Sequence, residues 1–279
     1  MPRNHAHHTA FTNGFYVDEG RDFAVRLLLG YCASGGADAG EVLATIANCP
    51  EEHDLDWSNA WLALGRRLVE AGDASSAAGH RVSAASAYLR ASNYLSQAFD
   101  GVDGFADDEQ RMPIFAEHRA AFEKFLDHGD FTAQRLEIPY EDTTLPGWYL
   151  TPKTGHTGAT LVTINGSDGS VSALWCAAAF GALRRGYGVV LYDGPGQQSM
   201  LFERGIGFRP DWEAVLRPVT DYVLKLPGVD AAKLALYGIS QAGYWVPRSL
   251  AFEHRYAAAV AGQRLAAYAY RWRSSRWRA

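Results

Sequence analysis

Among the 279 residues, one serine stands in a setting that suits nucleophilic attack. Ser240 lies in Tyr237-Gly238-Ile239-Ser240-Gln241-Ala242-Gly243, after the short apolar run KLALY and before a stretch of helical character. A serine hydroxyl is a weak nucleophile. It needs an exposed position, a base to take its proton, and donors for the oxyanion its attack creates. A sharp turn from strand to helix lifts such a side chain clear of the sheet, provided the residues two before and two after it are small. Gly238 meets that condition, and Ala242 stands where glycine is usual, with Gly243 beside it. The chemistry would be addition of the hydroxyl to a substrate carbonyl. The bland alternative is a serine that only caps the next helix.

Two further loops also follow short apolar runs. ATLVTI (159–164) leads into Asn165-Gly166-Ser167-Asp168-Gly169-Ser170. In a site of this kind, one amide from such a loop and the amide after the nucleophile form the oxyanion hole. Those donors are expected from Ser167 (Asp168 being the second choice) and from Gln241. A glycine-rich turn without a ligand would have the same composition. Phosphate binding is disfavoured, because GxGxxG and GxxxxGK[ST] are both absent from this loop. GVVLY (188–192) leads into Asp193-Gly194-Pro195-Gly196-Gln197, read as a structural turn beside the pocket. Asp193 precedes the serine, whereas this type of site takes its acid and then its histidine from later in the chain.

The elements that must position these loops differ between the two halves. Residues 18–130 read as helical. Trp57, Trp61, Leu62, Leu64, Leu68 and Val69 recur at helical spacing, with Gly72 as the expected stop. A second helix is expected over about 74–99, presenting Val82, Ala85, Tyr88, Leu89, Ser92, Leu95 and Phe99 on one broad face. A third starts near 107. No period near 34 residues repeats, so a tetratricopeptide solenoid is rejected. After Gly129 the pattern becomes α/β. Strands are expected at 131–140, 145–150, 159–164, 188–192, 233–237 and 256–261, with helices at 171–185, 212–226 and 241–253. The first two strands read as an antiparallel pair. The later alternation implies a parallel sheet covered on both faces, with ligands collecting at the carboxyl ends of its strands.

Composition narrows the classes. With 48% hydrophobic and 20% charged residues, the chain can bury a sizeable core. A net charge of -5 gives no reason to expect nucleic acid. The first ten residues are polar and His-rich, unlike a secretory signal, and the apolar run 173–183 is too short to cross a bilayer. Cys32, Cys49 and Cys176 lack any CxxC pairing, which fits reduced thiols in a cytoplasm. His5, His7 and His8 read as a terminal tail rather than a metal site.

The combination of a helical first half with TLVTINGSDGS, VVLYDGPGQ and LYGISQAGYWVPR resembles a family of capped α/β-hydrolases. That family includes dihydroxypseudooxynicotine hydrolase, fungal hydrolases that shorten polyketide chains, and esterase-like proteins named for a fermentation–respiration switch. The similarity runs from about 57 to 262, and GHRVSAASAYLRASNYL (79–95) resembles the family's cap helix. The resemblance implies an N-terminal helical cap over 1–130 and an α/β-hydrolase core over 131–262, mostly parallel with helices on both faces. It further implies a small-molecule carbonyl substrate cleaved at an ester or C–C bond, with no metal or cofactor and room for a homodimer. Asp168 becomes a candidate for handling a substrate proton. Tyr88, Arg90 and Tyr94 become candidates for pocket-lining cap side chains.

Only 39 residues follow Ser240. Among them His254 and Glu253 are expected far down the helix that starts at the nucleophile, at about 20 Å for a rise of about 1.5 Å per residue. The segment 263–279 (QRLAAYAYRWRSSRWRA) has five arginines and no acid. It reads as a shifted frame or an unrelated end, with a basic amphipathic tail as the alternative. The expectation is a fold truncated after about its sixth strand, lacking triad acid and histidine, and inactive as it stands. The alternative is a non-catalytic relative that binds a small molecule or a partner.

Overall fold

The computed structural model describes residues 14–49, 54–101 and 108–262. The Arg-rich segment and the three early histidines lie outside the described residues. The chain divides into two compact units, Met1–His128 and Gly129–Ala279.

The first unit is helical: α1 (Glu19–Tyr31), α2 (Ala39–Ile46), α3 (Asp54–Ala77), α4 (Arg81–Gly101) and α5 (Asp108–His128). Asp18 and Asp38 start the first two by accepting from the amides of Arg21 and Glu41. Helix α3 continues past Gly72, where the sequence suggested a stop. The reason is packing: a Cβ at Gly72 would lie 2.5 Å from the Tyr88 ring, and one at Gly65 would lie 2.6 Å from Leu95. The two glycines, two turns apart, thus make sockets for two side chains of α4. The turn after α3 uses Gly79 at φ +77°, so α4 starts later than periodicity implied. Val82 is 84% exposed rather than on the packed face.

The second unit is a six-stranded sheet in the order β1-β2-β4-β3-β5-β6. Its strands are β1 (Phe131–Tyr140), β2 (Thr143–Pro152), β3 (Thr160–Ile164), β4 (Gly188–Tyr192), β5 (Leu234–Gly238) and β6 (Ala258–Ala261). Strands β1, β2 and β4 pair antiparallel, while β4, β3, β5 and β6 run parallel. Helices α6 (Val171–Leu174) and α7 (Phe180–Leu183) flank a π-helical stretch, Trp175–Ala179, where one continuous helix was expected. After them come α8 (Gln198–Phe202), α9 (Glu213–Val223) and α10 (Ala242–Leu250). On one face, Val215, Val219, Val223, Trp245 and Val246 of α9 and α10 join Val162, Val190 and Leu236 of the sheet in a single core. Val189 and Leu191 alternate to the other side of β4, where α6 and α7 pack. All of β4 is buried, as a strand covered on both faces must be.

Candidate active site

Strand β5 ends at Gly238, and two residues later the backbone of Ser240 takes φ +56°. A non-glycine residue in this left-handed region is strained by about 1–2 kcal/mol. The turn is closed on both sides: the amide of Ala242 donates to Ile239 O at 3.1 Å, and that of Gly243 to Ser240 O at 2.8 Å. Helix α10 starts at once, with Gln241 as its N-cap and no side-chain cap bond. The serine is therefore not a capping residue. It is exposed, and among the described residues its hydroxyl has no hydrogen-bond partner. Packing dictates the small neighbours: a Cβ at Gly238 would sit 2.5 Å from Val246 and 2.9 Å from the Ala242 methyl.

The loop after β3 lies against this serine. A Cβ at Gly166 would be 2.6 Å from the Ser240 Cβ and 3.0 Å from its Oγ. Buried Asn165 staples the loop. Its Nδ2 donates to the carbonyls of Gly169 and Ser170, and its Oδ1 accepts from the Gly166 amide at 2.9 Å. The Gly166 N–H is thereby occupied. The amides of Ser167 and Gln241 have no partner among the described residues. Ser167 Oγ donates to Asp168 Oδ2 at 2.8 Å, and Asp168 is exposed.

Gln197, which the sequence left inside a structural turn, is the second tie on this loop. Its buried Nε2 donates to Asn165 O at 2.7 Å and to Gly166 O at 3.1 Å, while its Oε1 accepts from the Gly194 amide at 2.8 Å. The loops after β3 and β4 are thus joined. The signal available in the sequence was position, a polar residue at the carboxyl end of a neighbouring strand, but not burial. Asp193 accepts from Ser199 Oγ at 2.6 Å and holds the start of α8, which matches its reading as a turn residue.

Other groups are elsewhere. His254 is not on the helix that follows Ser240, because α10 ends at Leu250. The chain has turned back by then: the Ala257 amide donates to Leu234 O at 2.8 Å, at the amino end of β5. Six residues of strand and turn, at about 3.3 Å each, place that end roughly 20 Å from Ser240. Glu253 in the same segment is paired with Arg255 at 2.5 Å. His156 lies beside Gly188 and Gly228, also at the amino ends. Within the helical unit, Tyr88 donates to Asp73 at 2.7 Å. Buried Tyr94 donates to Glu41 at 3.0 Å and accepts from the Asp38 amide at 2.9 Å. Arg90 donates to the same Glu41 at 2.9 Å. The Tyr88 and Tyr94 hydroxyls are thus engaged within the helical unit. Among the described residues no group of His, Cys, Asp and Glu could hold a metal ion.

No family model matches the chain. The hydrolase acrC of Aspergillus aculeatus is 33% identical over 256 residues, covering 85% of this chain and 60% of that protein. The α/β-hydrolase psoB of Aspergillus fumigatus is 32% identical over 258 residues, covering 88% and 57%. The chain thus spans well under two thirds of the length of these curated relatives. Among solved structures, the 2,6-dihydroxy-pseudo-oxynicotine hydrolase superposes with a TM-score of 0.72 at 20% identity, over 88% of this chain and 71% of that one. AbyA5 superposes with a TM-score of 0.54 at 18% identity, over 78% and 57%. By sequence the chain is similar to fungal α/β-hydrolases, and by backbone it has the α/β-hydrolase fold.

Proposed function

We propose that this chain carries the nucleophile and oxyanion half of a serine hydrolase acting on an ester or a C–C bond beside a carbonyl. The observation that carries the reading is the exposed Ser240, held at φ +56° with Gly166 against it. In this mechanism Oγ bonds to the carbonyl carbon while its proton passes to a base. The carbonyl π pair moves to oxygen, where the amides of Ser167 and Gln241 receive it. Collapse expels an alkoxide, or an enolate in the C–C case, which takes up a proton. Water then releases the acyl group from Ser240. Asp168, exposed on the same loop, is the candidate for handling a substrate proton. The helical unit is assigned the part of a cap. No metal or cofactor enters the scheme. Cys32, Cys49 and Cys176, which form no disulfide among the described residues, fit a reducing, cytoplasmic setting, and no helix among the described residues is long and apolar enough to cross a membrane.

The base is the open part of the reading, since the histidines described in the core unit sit at the far end of the sheet. That observation favours a second reading, a relative that binds a carbonyl compound without turning it over. The test supplies the base from solution. The 279-residue polypeptide is treated with a 4-nitrophenyl alkylphosphonate, with and without imidazole, and the adduct is located by mass spectrometry. Adduct confined to Ser240, accelerated by imidazole and absent in Ser240→Ala, is expected. Without imidazole the same polypeptide should hydrolyse a nitrophenyl ester at no more than the residual 10³–10⁴-fold over water left by oxyanion holes alone. Failure of Ser240 to react even with imidazole would leave only the binding reading.

A further inference from the structure

We infer that Gln197 is a positioning residue for the oxyanion hole, acting through the peptide that joins Gly166 to Ser167. The inference rests on the reading of Ser240 as nucleophile. In that peptide the Gly166 carbonyl and the Ser167 N–H are one rigid planar unit, and a trans peptide sets them on opposite sides. Gln197 Nε2 donates to that carbonyl at 3.1 Å and to the preceding one, Asn165 O, at 2.7 Å. A carbonyl fixed on the Gln197 side leaves the Ser167 N–H on the other. The Cα between the two held carbonyls is that of Gly166, the residue in contact with Ser240. The neighbouring donor is already removed from competition, because the Gly166 N–H is bonded to Asn165 Oδ1 at 2.9 Å.

Gln197 is itself rigid. It is 1% exposed, and its Oε1 accepts from the Gly194 amide, so both ends of the side-chain amide are engaged and its orientation is determined. Glycines with carbonyls free to turn would let the Ser167 N–H rotate away from a developing charge. The value of an oxyanion donor depends on its being in place before reaction. A buried primary amide that grips two consecutive carbonyls supplies that order without touching substrate.

The test separates donor placement from general damage to the fold. Two 4-nitrophenyl alkylphosphonates are used, one with P=O and one with P=S. In each reaction a Ser240 O–P bond forms, nitrophenolate leaves and the hydroxyl proton goes to imidazole. Sulfur is a weak hydrogen-bond acceptor, so only the oxo compound gains from an ordered oxyanion hole. The readout is the ratio of oxo to thiono labelling rates at Ser240, relative to the ratio the same pair shows toward hydroxide in buffer. In the parent chain this relative ratio should be well above one. In Gln197→Met it should fall at least about 10-fold, with the roughly 10²–10³-fold of outright donor loss as the upper limit, while circular dichroism stays the same. A merely loosened fold would slow both reagents together and leave the ratio unchanged. Gln197→Glu keeps the volume and guards against an unfolded Met variant. Its ratio should be low at neutral pH and recover as pH falls, when the carboxylic acid regains a donor for the carbonyls. A folded Gln197→Met or Gln197→Glu with the parent ratio overturns the role of Gln197 and leaves Ser240 as nucleophile. A parent ratio equal to that in buffer, or no labelling of Ser240 at all, overturns the oxyanion site and this inference with it.

Discussion

The helical unit and the sheet unit differ in the backbone that their buried polar side chains hold. In the former, buried Ser58, Ser92 and Asn93 donate to the carbonyls of Ala98, His118 and Gly36 at helices and a turn, while half-buried Glu41 and Arg90 pair with each other beside Tyr94. In the latter, Asn165 and Gln197 bond to main chain, and the backbone they hold is unusual, next to a serine at φ +56°. A cluster of titratable groups that neutralise one another is a packing device. Side chains that pin loop backbone beside a strained, exposed nucleophile are what a reaction requires. The proposed chemistry falls in the sheet unit, where the backbone so held adjoins Ser240.

The comparison can be broken by substitutions that touch one region and are read out in both. Gly238→Val should have the largest effect, because the new Cβ would lie 2.5 Å from Val246 and 2.8 Å from the Ala242 carbonyl. Overpacking against backbone is expected to cost about 3 kcal/mol or more, or to prevent folding of the sheet unit. Urea titration with Ser240 labelling as a second signal measures it. A variant of normal stability would mean that strand and helix can separate without loss.

Acid should act on the helical unit. His118 is 1% exposed, with Nδ1 3.0 Å from Ser92 O, and burial pushes its imidazole down to about 3. Because the folded value is below the unfolded one of about 6.5, the unfolded chain takes up the proton first as pH falls. The His118 contribution should therefore fall by on the order of 1 kcal/mol per pH unit below about 6.5, with carboxylates held low by basic partners, such as Asp73 and Glu213, adding to the fall below about 4. Chemical denaturation followed across that range should show this slope. The part of the slope between about pH 6 and 5 should vanish in a folded His118→Asn variant, and its survival there would assign it elsewhere.

A smaller effect is expected for Tyr94→Phe, which strands the Asp38 amide and one bond to Glu41. About 1–2 kcal/mol should be lost from thermal or urea unfolding, with phosphonylation of Ser240 unchanged. A selective fall in labelling would move Tyr94 into the site. The smallest change belongs to Asp168→Asn. Its partner is the adjacent Ser167 hydroxyl on an exposed loop, so stability should move by no more than about 0.5 kcal/mol. Phosphonylation, which involves no substrate proton, should stay within a few-fold. A large drop would show the carboxylate shaping the oxyanion loop itself.

The local sequence was enough for the turn and the sheet. Gly238, Ser240 and Ala242 between an apolar run and a helical stretch specify a sharp turn by steric need alone, and short apolar, β-branched runs that alternate with helical stretches specify parallel strands. Helix boundaries were legible only in part. Gly72 looks like a stop until the Tyr88 ring is seen to occupy the space its missing side chain leaves. Tyr88 and Tyr94 likewise look available on a helix, but bundle packing engages their hydroxyls. His254 was placed on the nucleophile's helix, yet that helix ends at Leu250 and the chain returns to the amino end of β5. Gln197 is the clearest case of what the tertiary structure decided. A hydrogen bond spanning 32 residues joins it to Asn165 O, and nothing near Gln197 in the chain encodes that partner. Propensity and spacing act over a few residues and determine the turn. The donors that hold the loop beside it come together only when neighbouring parallel strands bring their carboxyl ends side by side.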